Sequence, residues 1–271
     1  MALIALKLFL TPSLIGAVTL AQRRWGPTIG GLLVGLPLTS GPVALFFAIE
    51  HGTKFATAAA AATILGTAGA TVFCLAYARA AVTRPWPLAT IMGAAAYIPA
   101  VTMLRLIPDD FPVLSYVAIC VLLLIARAAI QAPPSRQTTL ECRAPRWDLP
   151  ARMLLATALV VGLTAAAGML GARLSGLLSP IPVYATVLAV FTHRVEGGRA
   201  AQRLLRGVLT GNFAFITFFL VLTLALHHDG TSAAFLLASL SVVVIQSIAL
   251  IVAGRERLSG SSCHVAVEVR R

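Results

Sequence analysis

The stretch Gly31-Leu-Leu-Val-Gly-Leu-Pro-Leu-Thr-Ser-Gly-Pro-Val43 lies near the middle of a long apolar segment, residues 26–49. A proline inside a helix removes a backbone hydrogen bond and clashes with the preceding turn, at a cost of about 3 kcal/mol or more. The segment is long enough to cross a bilayer, yet the sequence predicts a kink or break at Pro37, Gly41 and Pro42. In hydrocarbon, the carbonyl groups freed by a break need partners in the protein or in a water-lined cavity.

The same pattern returns later in the chain, because residues 26–80 and 171–225 align without gaps at an offset of 145. The clearest matched pairs are Gly26 with Gly171, Pro37 with Pro182, Phe46 with Phe191, Gly52 with Gly197, Gly66 with Gly211 and Phe73 with Phe218. Glycine and proline fix backbone geometry, so the alignment indicates a duplicated helix path with breaks at set places. The second copy carries its own predicted break at Pro180 and Pro182.

The composition is that of an integral membrane protein. Of the 271 residues, 59% are hydrophobic and 11% are charged, whereas an ordinary soluble domain has about a quarter of its residues charged. The apolar segments predict nine membrane spans. They lie near residues 2–21, 26–49, 55–78, 86–106, 111–130, 151–171, 173–193, 204–226 and 232–253. The longest polar stretch is residues 131–150, which leaves no room for a soluble catalytic domain.

The net charge of +12 would suggest a nucleic-acid partner in a soluble protein, but its distribution indicates membrane orientation instead. Most of the arginines fall in alternate loops, beginning with Arg23 and Arg24 after the first span. The positive-inside rule then predicts an external N-terminus and a cytoplasmic C-terminus, with the lipid bilayer as the partner and no nucleic acid.

Five predicted helices precede the second copy, so the second copy enters the membrane in the reversed direction. The predicted fold is therefore an all-α polytopic membrane protein of about nine transmembrane helices, with two inverted-topology repeats of four joined by a connector helix. Residues 1–110 form the first repeat, and residues 111–150 form the connector helix and a cytoplasmic link. Residues 151–253 form the second, inverted repeat, and residues 254–271 form a cytoplasmic tail.

Two proline-interrupted helices at matching positions of inverted halves point to a substrate site near the bilayer midplane. Polar side chains follow both breaks or lie at matching depth in the next helix, and these are the candidates for the lining: Thr39, Ser40, Thr67, Tyr184, Thr186 and Asn212. An asparagine at mid-membrane costs free energy unless it is hydrogen-bonded, so Asn212 is expected to have a partner or a ligand. Each residue alone is also compatible with hydrogen bonding between packed helices.

Features that would indicate an enzyme are missing from the sequence. No Asp or Glu lies near the centre of any predicted span, and no Ser/His/Asp arrangement or phosphate-binding glycine loop occurs. The adjacent residues His227, His228 and Asp229 are more typical of a turn than of a metal site. We therefore expect no catalytic residues, no metal and no cofactor.

The segment from Leu174 to Thr186, followed by Arg194-Val-Glu-Gly-Gly-Arg199 and Arg206-Gly-Val-Leu-Thr-Gly-Asn212, resembles the small bacterial inner-membrane proteins called GlpM. Both have a glycine-leucine-proline helix, a charged turn with a Glu and glycines, and a glycine-bearing helix after it. The resemblance covers about a quarter of this chain. It implies a location in the bacterial inner membrane and a role in envelope or exopolysaccharide physiology, and it supplies no substrate and no catalytic residues.

The sequence favours a small secondary-type transporter that moves a small solute by alternating access at its second and seventh spans. The alternative is a non-transporting scaffold or assembly protein of an envelope or exopolysaccharide system. A lipid-modifying or lipid-flipping protein is a third class. The sequence leaves the substrate, the coupling ion and the oligomeric state open, a homodimer included.

Overall fold

A computed structural model describes residues 2–37, 40–107, 111–130, 147–167, 182–226 and 230–268. These residues form ten helices and contain no strand. The helices are α1 (Ala2–Trp25), α2 (Pro27–Val34), α3 (Ser40–Glu50), α4 (Thr53–Ala80), α5 (Trp86–Leu104), α6 (Pro112–Ala129), α7 (Asp148–Ala167), α8 (Val183–Glu196), α9 (Gly198–Ala225) and α10 (Thr231–Glu268). The predicted all-helical architecture is confirmed for this part of the chain.

Five of the described helices are long and apolar enough to cross a membrane, namely α4, α5, α6, α9 and the segment Thr231–Ile251 of α10. Helices α4 and α9 are mostly buried inside the protein, while α5, α6 and α10 leave most of their surface exposed. Large apolar side chains such as Ile98, Leu114 and Val243 lie on these exposed faces. Exposed apolar faces around a buried helical centre fit a protein embedded in lipid.

Helices α4 and α9 have the same length, 28 residues, and their bounds coincide at the offset of 145. Each begins directly after a glycine with positive φ, 83° at Gly52 and 88° at Gly197. A side chain is strained in this conformation, which explains why the turn before each helix is a glycine. The starts of α5 and α10, at Trp86 and Thr231, are separated by the same offset.

These two long helices run in opposite directions. The carbonyl of Ala81, just past the end of α4, lies against Gly198 at the start of α9. Nearby, the hydroxyl of Tyr77 lies 3.4 Å from Nδ1 of His193. The C-terminus of α4 therefore meets the N-terminus of α9.

Helices α2 and α9 cross with their backbones in direct contact, and they run in the same direction. Gly31 on α2 and Gly35, the residue that directly follows α2, face Gly207 and Gly211 on α9, and a Cβ atom at any of the four would overlap the opposite backbone. Four-residue spacing places each glycine pair on one face of its helix. Small residues in this pattern let membrane helices approach closely.

Candidate functional site

The described structure breaks the second predicted span at the end of α2. The N–H of Leu36 donates to the carbonyl of Leu33 at 3.2 Å, one residue short of the α-helical partner, and Pro37 has no N–H to donate. The carbonyl of Leu32 thus lacks its helical donor, and Gln246 on α10 donates to it at 3.0 Å. The helix is thus interrupted between Val34 and Ser40, and a side chain from a distant helix satisfies the carbonyl that the interruption frees.

The other residues that were predicted to break the helices do not lie between α2 and α3. Gly41 and Pro42 lie in the first turn of α3, where proline is tolerated because its missing N–H has no helical partner. They belong to the start of the second half of the span, and their role in the interruption stays a prediction. Pro182 directly precedes α8, whereas Pro180 and the candidate Thr39 lie outside the described residues.

Asn212 lies on one side of the break. Its backbone N would be in contact with a Cβ at Gly35, and its side chain is only 7% exposed. No hydrogen bond of its amide is found within the described residues, and the amide is not among the fully enclosed polar atoms that lack a partner. The equivalent residue of the first copy, Thr67, is also buried, but its hydroxyl donates to the carbonyl of Thr63 in its own helix at 3.0 Å. Asn212 is therefore the candidate with a free hydrogen-bonding group.

A small groove with a cavity volume of about 20 Å³, enough for about one water molecule, lies on the opposite side of the broken helix, between α1 and α8. Its walls are apolar except at Tyr184, and its lining residues are Leu14, Ile15, Val18, Leu33, Val34, Leu36, Tyr184 and Leu188. The hydroxyl of Tyr184 donates to Oγ1 of Thr11 at 3.2 Å. The structure thus places two of the predicted site residues, Tyr184 and Asn212, on the two flanks of one break.

Two candidates, Thr67 and Thr186, are not brought to the break by any contact in the described part of the chain, whereas Ser40 begins α3 and lies at the break itself. Ser40 is half-buried at the start of α3, and Thr186 is half-buried on α8. The Thr186 hydroxyl donates to the carbonyl of Pro182 at 2.6 Å, so its proton is occupied within its own helix. Thr67 is occupied in the same way. These hydroxyls keep acceptor lone pairs but offer no free donor in this arrangement.

The groove ends at a polar cluster that the sequence interpretation did not single out. Gln22 on α1 donates to Oγ1 of Thr192 on α8 at 2.7 Å and to Oε1 of Glu196 at 3.2 Å. Asp148 on α7 accepts from Arg152 at 3.0 Å and from Arg23 at 2.9 Å. Asp148 and Arg152 are 1% and 2% exposed, so this ion pair is fully buried.

The one local signal for this cluster was the four-residue spacing of Asp148 and Arg152, which puts both on one helix face. By its position after the long polar link, Arg152 also fits the group of arginines that the positive-inside rule places on the cytoplasmic side. Glu196 sits at the exposed edge of the cluster. Partial desolvation by the surrounding protein raises its pKa, while the hydrogen bond from Gln22 and the charges of Arg152 and Arg203 oppose that shift.

No protein-family model matches the chain, and searches of curated proteins and of solved structures return no match to it. The resemblance to GlpM stays a prediction. Among the residues that the structure describes, no group of three or more His, Cys, Asp or Glu side chains could hold a metal ion. The arrangement offers hydrogen bonding by the phenol of Tyr184 beside the apolar groove and by the amide of Asn212 on the other flank of the break.

Proposed function

We propose that this protein is a small secondary-type membrane transporter that moves a small solute by alternating access around the break between α2 and α3. The observation that carries the proposal is the interrupted helix itself, flanked by the unpartnered amide of Asn212 and by the groove that contains Tyr184. A broken helix is tolerated at membrane depth where it is buried in protein or lines a cavity. Transporters use such breaks to bind their substrates.

The directions of the helices support an inverted-repeat organisation for this transporter. Equivalent helices α4 and α9 have matching bounds and opposite directions. The same proposal includes nine spans, a second break around Pro180 and Pro182, an external N-terminus and a cytoplasmic C-terminus. So does the location in a bacterial inner membrane. In this arrangement Thr39, Ser40, Thr67, Thr186, Tyr184 and Asn212 line the substrate path.

The close contact between α2 and α9 indicates which helices move together in the proposed transport cycle. Backbones that touch through four glycines cannot slide past one another without overlap, so α2 and α9 act as one rigid unit. Helix α1 meets α8 through side chains at the two ends of a groove. The seam between α1 and α8 is therefore the part that opens and closes in the proposed cycle.

A ligand-binding assay on the purified protein in lipid nanodiscs tests the proposal. Solutes with neutral, anionic and cationic groups are screened for a rise in melting temperature, since a ligand present at 100 times its Kd stabilises the folded state by about 2.7 kcal/mol. We expect Asn212→Leu to abolish the rise and to leave membrane insertion intact. Thr223→Val is the matched control, because Thr223 is buried on the same helix and bonds only to the carbonyl of Phe219.

Two results contradict the proposal. If no solute raises the melting temperature, the scaffold for an envelope or exopolysaccharide system becomes the better assignment. The rigid glycine contact between α2 and α9 is the observation that favours it. If Asn212→Leu prevents insertion, or if Thr223→Val removes the ligand response equally, Asn212 has a structural role.

A further inference from the structure

The polar cluster at the end of α1 connects three helices. The latch, as we call it, consists of Gln22, Arg23, Asp148, Arg152, Thr192 and Glu196. Gln22 bridges from α1 to α8, and Arg23 bridges from α1 to α7. The ring of Phe191 on α8 packs under the guanidinium of Arg152 at 5.1 Å. The hydrogen bonds and the ion pair that join α1 to the other two helices in this cluster are made by side chains, and α1 also packs closely against α7.

The latch closes the groove at one end. Along α1, the residues Thr11, Ile15, Val18 and Gln22 lie on one helix face, and along α8 the residues Tyr184, Leu188 and Thr192 do the same. Hydrogen bonds join Thr11 to Tyr184 and Gln22 to Thr192, so the two helices run in the same direction. The groove lies between these two bonds. Gln22 and Thr192 therefore separate the groove from the end of the molecule that carries Arg23, Asp148 and Glu196.

The latch is not fully satisfied in this state. Oδ1 of Asp148, Nη1 of Arg152 and Oε1 of Gln22 are buried and have no hydrogen-bond partner among the described residues. Burying charges carries a desolvation cost that is offset only when their remaining donors and acceptors are paired. Three unpaired buried polar atoms raise the free energy of the closed state. The cluster therefore stabilises that state less than a fully hydrogen-bonded cluster of the same size would. Such a cluster suits a contact that breaks and reforms.

We propose that the latch is the inner gate of the transport path, and that its opening separates α1 and α7, which pack closely against each other, from α8 and connects the groove to the cytoplasm. This inference rests on the proposed function and adds the residues that control access. In the closed state, Gln22 and Thr192 exclude water from the groove on that side. In the open state, the charged groups of Arg23, Asp148 and Arg152 become solvated, which compensates for the loss of the contacts with α8.

Thiol labelling tests the gate. The native cysteines Cys74, Cys120, Cys142 and Cys263 are replaced, and Val18→Cys, in the groove wall one turn from Gln22, is the reporter. A membrane-impermeant maleimide is applied to inside-out vesicles and to spheroplasts. We expect Thr192→Val to raise the labelling rate of the reporter about threefold to tenfold in inside-out vesicles only, as the loss of one buried hydrogen bond implies.

Thr157→Val is the matched control. It makes the same chemical change on α7, but the Thr157 hydroxyl bonds at 2.7 Å to Met153 of its own helix, so no contact between helices is lost. Its labelling rate should equal that of the parent. Gln22→Leu provides a second route to the open gate if Thr192→Val does not fold, as judged by gel filtration and melting temperature.

The proposal is overturned if Thr192→Val and Gln22→Leu are labelled at the parent rate, or if Thr157→Val accelerates labelling equally. The same holds if labelling rises from both sides, which indicates general loosening. These results are separable from those for the substrate site. A ligand response that needs Asn212 without a change in labelling rejects only the gate, while faster labelling without any ligand response rejects only transport.

Discussion

A single carbonyl shows how this chain accommodates a break inside a hydrophobic helix. Leu32 is fully buried, and its carbonyl would be left without a donor by the 3₁₀-type bond between Leu36 and Leu33. The amide of Gln246, 214 residues away in sequence, supplies the donor. An unpaired buried carbonyl costs about 1–3 kcal/mol. The break is therefore more stable when α10 is in place.

Replacing this donor should destabilise the protein. We expect Gln246→Leu to lower the free energy of unfolding by about 1 kcal/mol, near the upper part of the range for polar contacts between membrane helices. Denaturant unfolding in mixed micelles measures the change. The control is Ser247→Ala, since the exposed Ser247 hydroxyl bonds at 2.7 Å to Val243 in the same helix and should contribute little. Equal destabilisation by both substitutions would argue against a role for the Leu32 carbonyl.

At the scale of helices, the glycine contact between α2 and α9 is the tightest described packing that involves the break. A Cβ at Gly31 would overlap the carbonyl of Leu204, which belongs to the backbone and cannot rotate away as a side chain would. Overpacking a tight core costs about 1–3 kcal/mol. We expect Gly31→Ala to push the two helices apart and to lower the melting temperature.

Gly16 on α1 provides the comparison for that substitution. A Cβ at Gly16 would meet only the side chain of Met153, at 3.8 Å, which is ordinary van der Waals contact. Gly16→Ala should therefore have a melting temperature close to that of the parent protein. Thermal unfolding followed by circular dichroism measures both variants, and a loss in Gly16→Ala as large as in Gly31→Ala would contradict the packing argument.

The helices show which features the sequence could reveal. The break at Pro37 and the glycine turns at Gly52 and Gly197 depend on local backbone chemistry, so their positions were predictable. The placement of Gly41 and Pro42 was not, because proline is acceptable in the first turn of a new helix and the sequence does not mark where α3 begins. Asn212 was identified from its depth alone, and the structure adds its contact with Gly35.

The latch was beyond prediction for a different reason. Its partners come from residues 22–23, 148–152 and 192–196, which meet only through packing of α1, α7 and α8. Charges next to a long polar link are usually solvated, and nothing in the local pattern distinguishes the buried Arg152 from the exposed Arg194. Pairing between distant segments depends on how the helices pack in the folded protein. The hydrophobic periodicity of a single sequence does not show which helices pack together.

At the scale of the whole molecule, the antiparallel arrangement of α4 and α9 leads to a topological prediction. Reporter proteins fused after Lys54, near the start of α4, and after Arg199, at the start of α9, should lie on opposite sides of the membrane. Alkaline phosphatase activity marks the periplasmic fusion, and green fluorescent protein marks the cytoplasmic one. The same compartment at both positions would exclude the inverted repeat and remove the main support for a site at the break.

The contact of α2 with α9 also sets the order of events during synthesis. Gly31 and Gly35 leave the ribosome long before Gly207 and Gly211, and at about 5–20 residues per second the intervening roughly 180 residues take on the order of ten to thirty seconds. For most of that time the freed carbonyl of Leu32 and the amide of Gln22 lack their final partners, since Thr192 is synthesised only shortly before Gly207 and Gln246 only after Gly211. The first half of the chain therefore reaches the bilayer as an unfinished structure, and a nascent chain that stops before α8 presents unpaired polar groups to the quality-control proteases of the membrane.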